Sequence, residues 1–324
     1  MPRPGVPAPG FVKRFGQIVD ERRAVRFQEL TSRDLMNRLN TPGMPFDWTL
    51  NPFRGCELGC LYCYARPTHE YLGHSEPEEF EQHIYVKRGD TGRLRETLRR
   101  ACASGHELAI GTATDPYQPA EGRFEITRSV LREVRRVPGL RVGITTKSTA
   151  ITRDRDLLAE IARTCPLTVN VSLISLDADL LRRIEPRAPR PDLRVRALRV
   201  LAEAGIPTRL FVMPVLPAIT DGERSLRELL EAGRGAGARE AISNVLFLRG
   251  STRTIFLDFV KRELPWALPR YLELYRESAY APRDYRDAIE QRVRRLCREL
   301  GFESRTREDR MGRGGQPRQL ALTW

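Results

Sequence analysis

The sequence lacks any apolar run of about 18 residues, the length a transmembrane helix needs, so no membrane span is read from it. Its first ten residues, MPRPGVPAPG, hold no apolar stretch of the kind a secretory signal carries. A cytoplasmic location is therefore the expectation. Cysteine is scarce, at six in 324 residues, which excludes a disulfide scaffold. In a reducing compartment, clustered thiols read as metal ligands rather than disulfides. Acidic residues are outnumbered, 42 against 55 basic, leaving a formal charge of +13. That excess leans toward a polyanion such as nucleic acid. It is also Arg-rich and dispersed, a pattern that an Arg-rich composition produces without nucleic-acid binding.

What is present suits a soluble globular protein: 40% hydrophobic and 30% charged residues. The length allows one large α/β domain or two small ones. Half of the cysteines fall in one stretch, LNPFRGCELGCLYCYARPTHEY (50–71), as Cys56, Cys60 and Cys63 in a C-x3-C-x2-C spacing. The bland alternative is three thiols packed in a helical turn. A tetrahedral zinc site wants four protein ligands. No fourth Cys or His follows at zinc-finger spacing, and His69 is the nearest candidate. Three thiolates do fit a [4Fe–4S] cluster, with one iron left for another ligand. Gly59 lets the loop backbone turn tightly or approach a cluster closely.

Residues 1–45, rich in Pro, Gly and Arg, read as an extended leader with one short helix around 31–38. Beyond it strands and helices alternate. WTLNPF leads into the cysteine loop, and QHIYVK (82–87) alternates like a strand. Thr91 then caps a helix carrying Leu94, Leu98 and Cys102. LAIGT (108–112), LRVGITTKS (140–148), LTVNVSLIS (167–175), PTRLFVMPVLP (207–217) and AISNVLFLRG (241–250) read as further strands with helices between them. Repeated βαβ units imply a parallel sheet. Six such strands, counted from the cysteine-loop entry WTLNPF and without QHIYVK, predict an α/β fold, a partial (β/α)6 TIM-like barrel over 46–262. A helical C-terminal extension over 263–311 and a flexible tail over 312–324 follow. In such barrels the site lies at the C-terminal ends of the strands, where the cysteine loop, Thr112–Tyr117, Lys147 and Ser172 all fall.

The cysteine spacing, with TDPYQPAE, TKS and EPRAP, resembles the radical S-adenosylmethionine (SAM) enzymes. Within them it is most similar to the spore photoproduct lyase-like group, whose members mostly lack a known substrate. The similarity runs from about residue 45 to about residue 260. It implies a [4Fe–4S] cluster on Cys56, Cys60 and Cys63, SAM on the fourth iron, and a 5′-deoxyadenosyl radical acting on a substrate, nucleic acid among the candidates. It also implies a low-potential electron donor of flavodoxin or ferredoxin type. The implied SAM contacts are Tyr62 by its backbone, Thr112, Thr114, Asp115, Lys147 and Ser172. Without the resemblance, a surface lysine stays open as the reading of Lys147 and a packed hydroxyl as that of Ser172.

Further readings stay open. Glu185 and Arg187 of EPRAP form either an ion pair or an ordinary turn; His69, Glu70 and Tyr71 face either substrate or structure. One departure limits the resemblance: GTATDPY has no thiol where spore photoproduct lyases carry a hydrogen-returning cysteine, which puts DNA repair by that route in doubt. Cys102, Cys165 and Cys297 fall on helical segments, with Cys297 expected to be packed. At the C-terminus, QLALTW (Gln319–Trp324) resembles peptides that dock on bacterial sliding clamps; a terminal barrel strand is the alternative. A cluster-bearing nucleic-acid-binding or redox-sensing protein without SAM chemistry is the rival to the enzyme reading. A zinc-binding nucleic-acid module is a third.

Overall fold

Along three consecutive strands Val142, Ile144, Val169, Val171, Leu210 and Val212 alternate with Gly143, Thr145, Asn170, Ser172, Arg209 and Phe211. Successive strand residues point to opposite faces, so this sheet has one apolar face and one largely polar face. The computed structural model describes residues 15–22, 25–39, 44, 46–74 and 76–303, and backbone only for 15–22. Its strands are β1 Phe15–Arg22, β2 Val25–Thr31, β3 Met36–Arg38, β4 Trp48–Leu50, β5 Phe53–Arg54, β6 His83–Arg88, β7 Glu107–Ile110, β8 Arg141–Thr146, β9 Leu167–Ser172, β10 Thr208–Val215 and β11 Glu240–Val245.

The larger sheet runs β11-β10-β9-β8-β7-β4-β3. Its six long-range members are parallel, in the registers Leu50↔Ile110, Ile110↔Ile144, Ile144↔Val169, Val171↔Leu210 and Phe211↔Ile242. Helices Ile126–Val134, Arg155–Thr164, Pro191–Glu203 and Glu223–Gly235 return the chain between successive strands from β7 to β11. This is the expected partial (β/α)6 barrel. The valines and isoleucines of the apolar face are 0–3% exposed, each removed from water to a gain of about 1.5–3 kcal/mol. The polar face lines the lumen.

The leader differs from expectation. Where a helix was predicted at 31–38, β2 ends at Thr31 and β3 pairs antiparallel with β4, Met36 opposite Leu50. The physical reason is the pairing with β4, which takes Met36–Arg38 into the larger sheet, while β2 before it buries Val25 and Phe27 on one face. β2 joins a second sheet of order β1-β2-β6-β5, whose small core contains Phe27, Phe53, Ile84 and Val86. β5 follows β4 after two residues, so the cysteine loop starts at the seam of the two sheets. The helix cap expected at Thr91 is Asp90, whose carboxylate accepts the Arg93 N–H at 2.6 Å. Helix Arg283–Glu299 packs on β11, and the Glu303 N–H donates to Arg239 O at 2.8 Å, closing the floor of the barrel. The QLALTW peptide lies outside the described residues.

Candidate active site

The cysteine loop turns between β5 and the segment before β6. Gly55 sits at φ +80°, and a Cβ there would lie 2.6 Å from His83 O and 2.7 Å from Phe80 O. Only glycine takes that conformation at that approach without strain. The next residue anchors the loop: the Cys56 N–H donates to Phe80 O at 3.0 Å. Arg66 anchors its far end, donating to Cys60 O at 3.0 Å, Pro77 O at 2.9 Å and Glu81 Oε2 at 2.7 Å. On the opposite side Leu61 N–H donates to Ile184 O at 2.9 Å.

Cys56, Cys60 and Cys63 all line one cavity of about 740 Å³. Tyr62, Thr112, Thr114, Asp115, Lys147 and Ser172 line it as well. Burial pushes the Cys60 thiol up to about 12 and raises Cys56 and Cys63 too. Lys147 Nζ donates to Ser172 Oγ at 3.0 Å and lies 5.5 Å from the centre of the Tyr62 ring. Burial works against the Lys147 ammonium, but Cys60, where it ionises, and the Glu185 carboxylate outweigh it and hold the pKa above an ordinary lysine. Lys147 is therefore a cation inside the cavity rather than a surface lysine.

Three of the gathered residues are occupied by the protein itself. Asp115, whose pKa burial raises, accepts Thr146 Oγ1 at 2.7 Å, Lys147 N–H at 2.7 Å and Tyr117 N–H at 2.9 Å. Its carboxylate shapes the end of β8. Thr114 Oγ1 donates to Gly55 O at 2.6 Å, tying the β7 loop to the cysteine loop. Thr112 Oγ1 accepts Asn51 Nδ2 at 3.0 Å.

EPRAP is corrected. Glu185 pairs with Arg194, not Arg187, and both side chains are fully buried. Burial opposes the carboxylate, but Arg194 and then Lys147 hold its pKa below the usual range. The Tyr62 hydroxyl donates to the same carboxylate. Arg187 instead reaches Glu57 O at 3.4 Å. His69 is buried behind the loop with Nε2 2.9 Å from His83 O, and burial takes it down to about 4. Neither it, Glu70 nor Tyr71 lines the cavity.

The lumen below the loop holds residues that strand patterning alone had left unremarked. Arg209 donates to Glu240 Oε2 at 2.8 Å and Asn170 Oδ1 at 3.1 Å. The Glu107 carboxylate occupies the space that a Cβ on Gly143 would fill, 2.6 Å away. The available signal was Arg209, a charged residue inside the strand segment PTRLFVMPVLP, which is costly unless paired. Cys297 packs against the main core as expected and also lines the same cavity with Arg294 and Arg298.

The family model of the radical SAM superfamily matches residues 50–231. An uncharacterised protein of Mycobacterium tuberculosis is 38% identical over 270 residues, covering 83% of this chain and 79% of its own. An uncharacterised protein of Methanocaldococcus jannaschii is 27% identical over 203 residues, 62% of this chain and 71% of its own. Among solved structures, a cysteine-to-serine mutant of spore photoproduct lyase superposes with a TM-score of 0.60 at 15% identity, covering 85% of this chain and 80% of its own. A second mutant of that enzyme, with bound AdoMet and dinucleoside spore photoproduct, gives 0.57 at 16%, over 84% and 80%. At such identity the likeness is one of fold.

Proposed function

Because the chain belongs to the radical SAM superfamily, we propose that Cys56, Cys60 and Cys63 hold a [4Fe–4S] cluster and that the cavity beside them takes SAM. The observation that carries this reading is the convergence of three cysteines and one half-buried ammonium, Lys147, on a single cavity at the C-terminal ends of the strands. The donor set fits the group: thiolates are the ligands such clusters use, and three of them leave one iron for SAM. When bound, a reduced cluster supplies the electron that cleaves SAM to methionine and a 5′-deoxyadenosyl radical, which takes hydrogen from a substrate.

The chain's own residues bind and orient. Lys147 pairs with the SAM carboxylate in a charge-assisted hydrogen bond, and Ser172 Oγ, 3.0 Å from Nζ, aims it. Thr112 and the Tyr62 backbone line the SAM side. Thr114 and Asp115 act by position, holding the cysteine loop and the β8 end in register. A flavodoxin- or ferredoxin-type protein delivers the electron. The net charge of +13 makes nucleic acid the first substrate class to screen. The absence of a thiol at 111–114 argues against hydrogen return from a cysteine at that place.

Anaerobic reconstitution with iron and sulfide, then SAM and dithionite, tests the reading. The expected product is 5′-deoxyadenosine; a formed cluster that yields none refutes it. Cys60→Ala is expected to abolish both the brown absorption and the product.

A further inference from the structure

The chain has four histidines, and three of them, His69, His74 and His83, fall within 15 residues on the outer side of the cysteine loop. Two of these turn ring nitrogens toward one carboxylate. His74 Nδ1 lies 3.0 Å and His83 Nδ1 3.6 Å from Glu79 Oε1, and the two Nδ1 atoms are 3.1 Å apart. All three side chains are part-exposed, so an ion can reach them from solvent.

Hydrogen bonding alone does not satisfy this triangle. If both Nδ1 atoms carry protons, two donors face each other at 3.1 Å. If His83 carries the one proton, the His74 lone pair faces the carboxylate at 3.0 Å; if His74 carries it, a single N–H is shared between Glu79 and His83. A cation at the centre removes the conflict. For zinc–nitrogen and zinc–oxygen bonds of about 2.0–2.1 Å in tetrahedral geometry, ligand atoms should lie roughly 3.3 Å apart. The observed 3.0, 3.1 and 3.6 Å bracket that value.

The surroundings match a metal site too. Metal-binding histidines typically donate their second ring N–H to a partner, and ligating carboxylates are themselves held. His74 Nε2 is 2.6 Å from the Tyr85 hydroxyl. The second Glu79 oxygen accepts the Glu76 N–H at 3.0 Å.

We propose that His74, Glu79 and His83 form a second metal site, binding a divalent first-row cation of the zinc type through two imidazole nitrogens and one carboxylate oxygen. It is independent of the cysteines and of the SAM reading. Its ligands span the segment that supports the cluster loop: Phe80 O accepts the Cys56 N–H, and Glu81 and Pro77 O hold Arg66. The ion clamps that segment from behind, and its open coordination position takes water.

The test uses the full chain, anaerobically loaded with its cluster, incubated with zinc sulfate and desalted. Elemental analysis is expected to show one zinc per chain beyond the iron. Zinc-edge X-ray absorption is expected to show nitrogen and oxygen neighbours with imidazole scattering and no sulfur. His83→Ala, His74→Ala and the near-isosteric Glu79→Gln should each weaken zinc binding by more than about tenfold, with far-UV circular dichroism unchanged. His106→Ala, outside the cluster, should bind zinc normally. Sulfur in the zinc shell, zinc that the three substitutions leave bound as in the unaltered chain, or no zinc retained after desalting overturns the proposal.

Discussion

Replacing Arg194 by methionine isolates the charge that holds the cysteine loop from behind. Arg194 and Glu185 are both fully buried, and Arg194 also donates to Pro189 O at 2.7 Å and Ser172 O at 3.3 Å. Methionine keeps much of the apolar stem but leaves the Glu185 carboxylate without its main partner. Breaking a buried pair on one side costs about 3–5 kcal/mol, against a total stability of about 5–15 kcal/mol. Lys147 remains near Glu185, which places the expected loss at the lower end, about 3 kcal/mol. The pH dependence carries the argument. In the unaltered chain the Glu185 pKa is depressed. Its stabilisation is present above the ordinary carboxylate range and fades as pH falls through the folded value. In Arg194→Met the burial contribution pushes the carboxyl upward instead, so the deficit should be larger at about pH 8 than at about pH 5. Adding Glu185→Gln should restore part of the loss. The same variant should hold less iron, since the Tyr62 hydroxyl, in the middle of the cysteine loop, rests on Glu185. Urea denaturation of the cluster-free chain at both pH values, with iron counted on the reconstituted one, measures each effect. A loss below about 1 kcal/mol, or one that does not change with pH, would refute the electrostatic reading.

Lys147→Met should leave the cluster intact and weaken SAM binding by about 10- to 100-fold, the worth of one hydrogen bond to a charged group; equilibrium dialysis with labelled SAM reads it, and unchanged affinity rejects the assignment of Lys147. Gly55→Ala should cost about 1–2 kcal/mol for its left-handed backbone alone, with more for the 2.6 Å contact to His83 O, and should lower cluster yield at equal protein; normal yield would mean the loop adjusts freely. Deleting Gln319–Trp324 should abolish binding to a bacterial sliding clamp in a pull-down with purified clamp; no binding by the full chain, or equal binding after deletion, dismisses the peptide.

The parts of this molecule legible in its sequence are those that repeat or cluster. The barrel strands announce themselves because β-branched residues recur every second position, and the cysteine loop because three of six thiols fall within eight residues. What stayed hidden depends on separation along the chain. Glu185 has an arginine two residues away and another nine away; only the fold reveals that the helix Pro191–Glu203 returns Arg194 to the carboxylate while Arg187 turns to Glu57 O. Asp115 looked like a ligand-binding group, yet its oxygens are taken by Thr146 and Lys147, over 30 residues on. The segment at 31–38 is too short to show a period of either kind, and pairing with β4 decided it.

These hidden contacts share a direction. Phe80 O, the Thr114 hydroxyl, Ile184 O and Glu185 meet the cysteine loop from three separate segments, none is a cysteine, and only Thr114 is itself a SAM-binding candidate. A cluster ligand must be aimed as well as present, and a loop rich in glycine cannot aim itself, since its backbone has more freedom to lose than any other. Rigidity is therefore imported from the turn before β6, from the β7 loop and from the helix before EPRAP. It follows that substitutions in these supports should lower iron content before they touch any group that contacts SAM. Phe80→Ala illustrates the distinction: it removes a fully packed ring at about 3–5 kcal/mol without altering a single group that lines the cavity. Iron lost in step with stability, while SAM affinity per loaded cluster stays constant, is the expected pattern. A change in that affinity at constant iron would mean that the support and the site are not separable in this way.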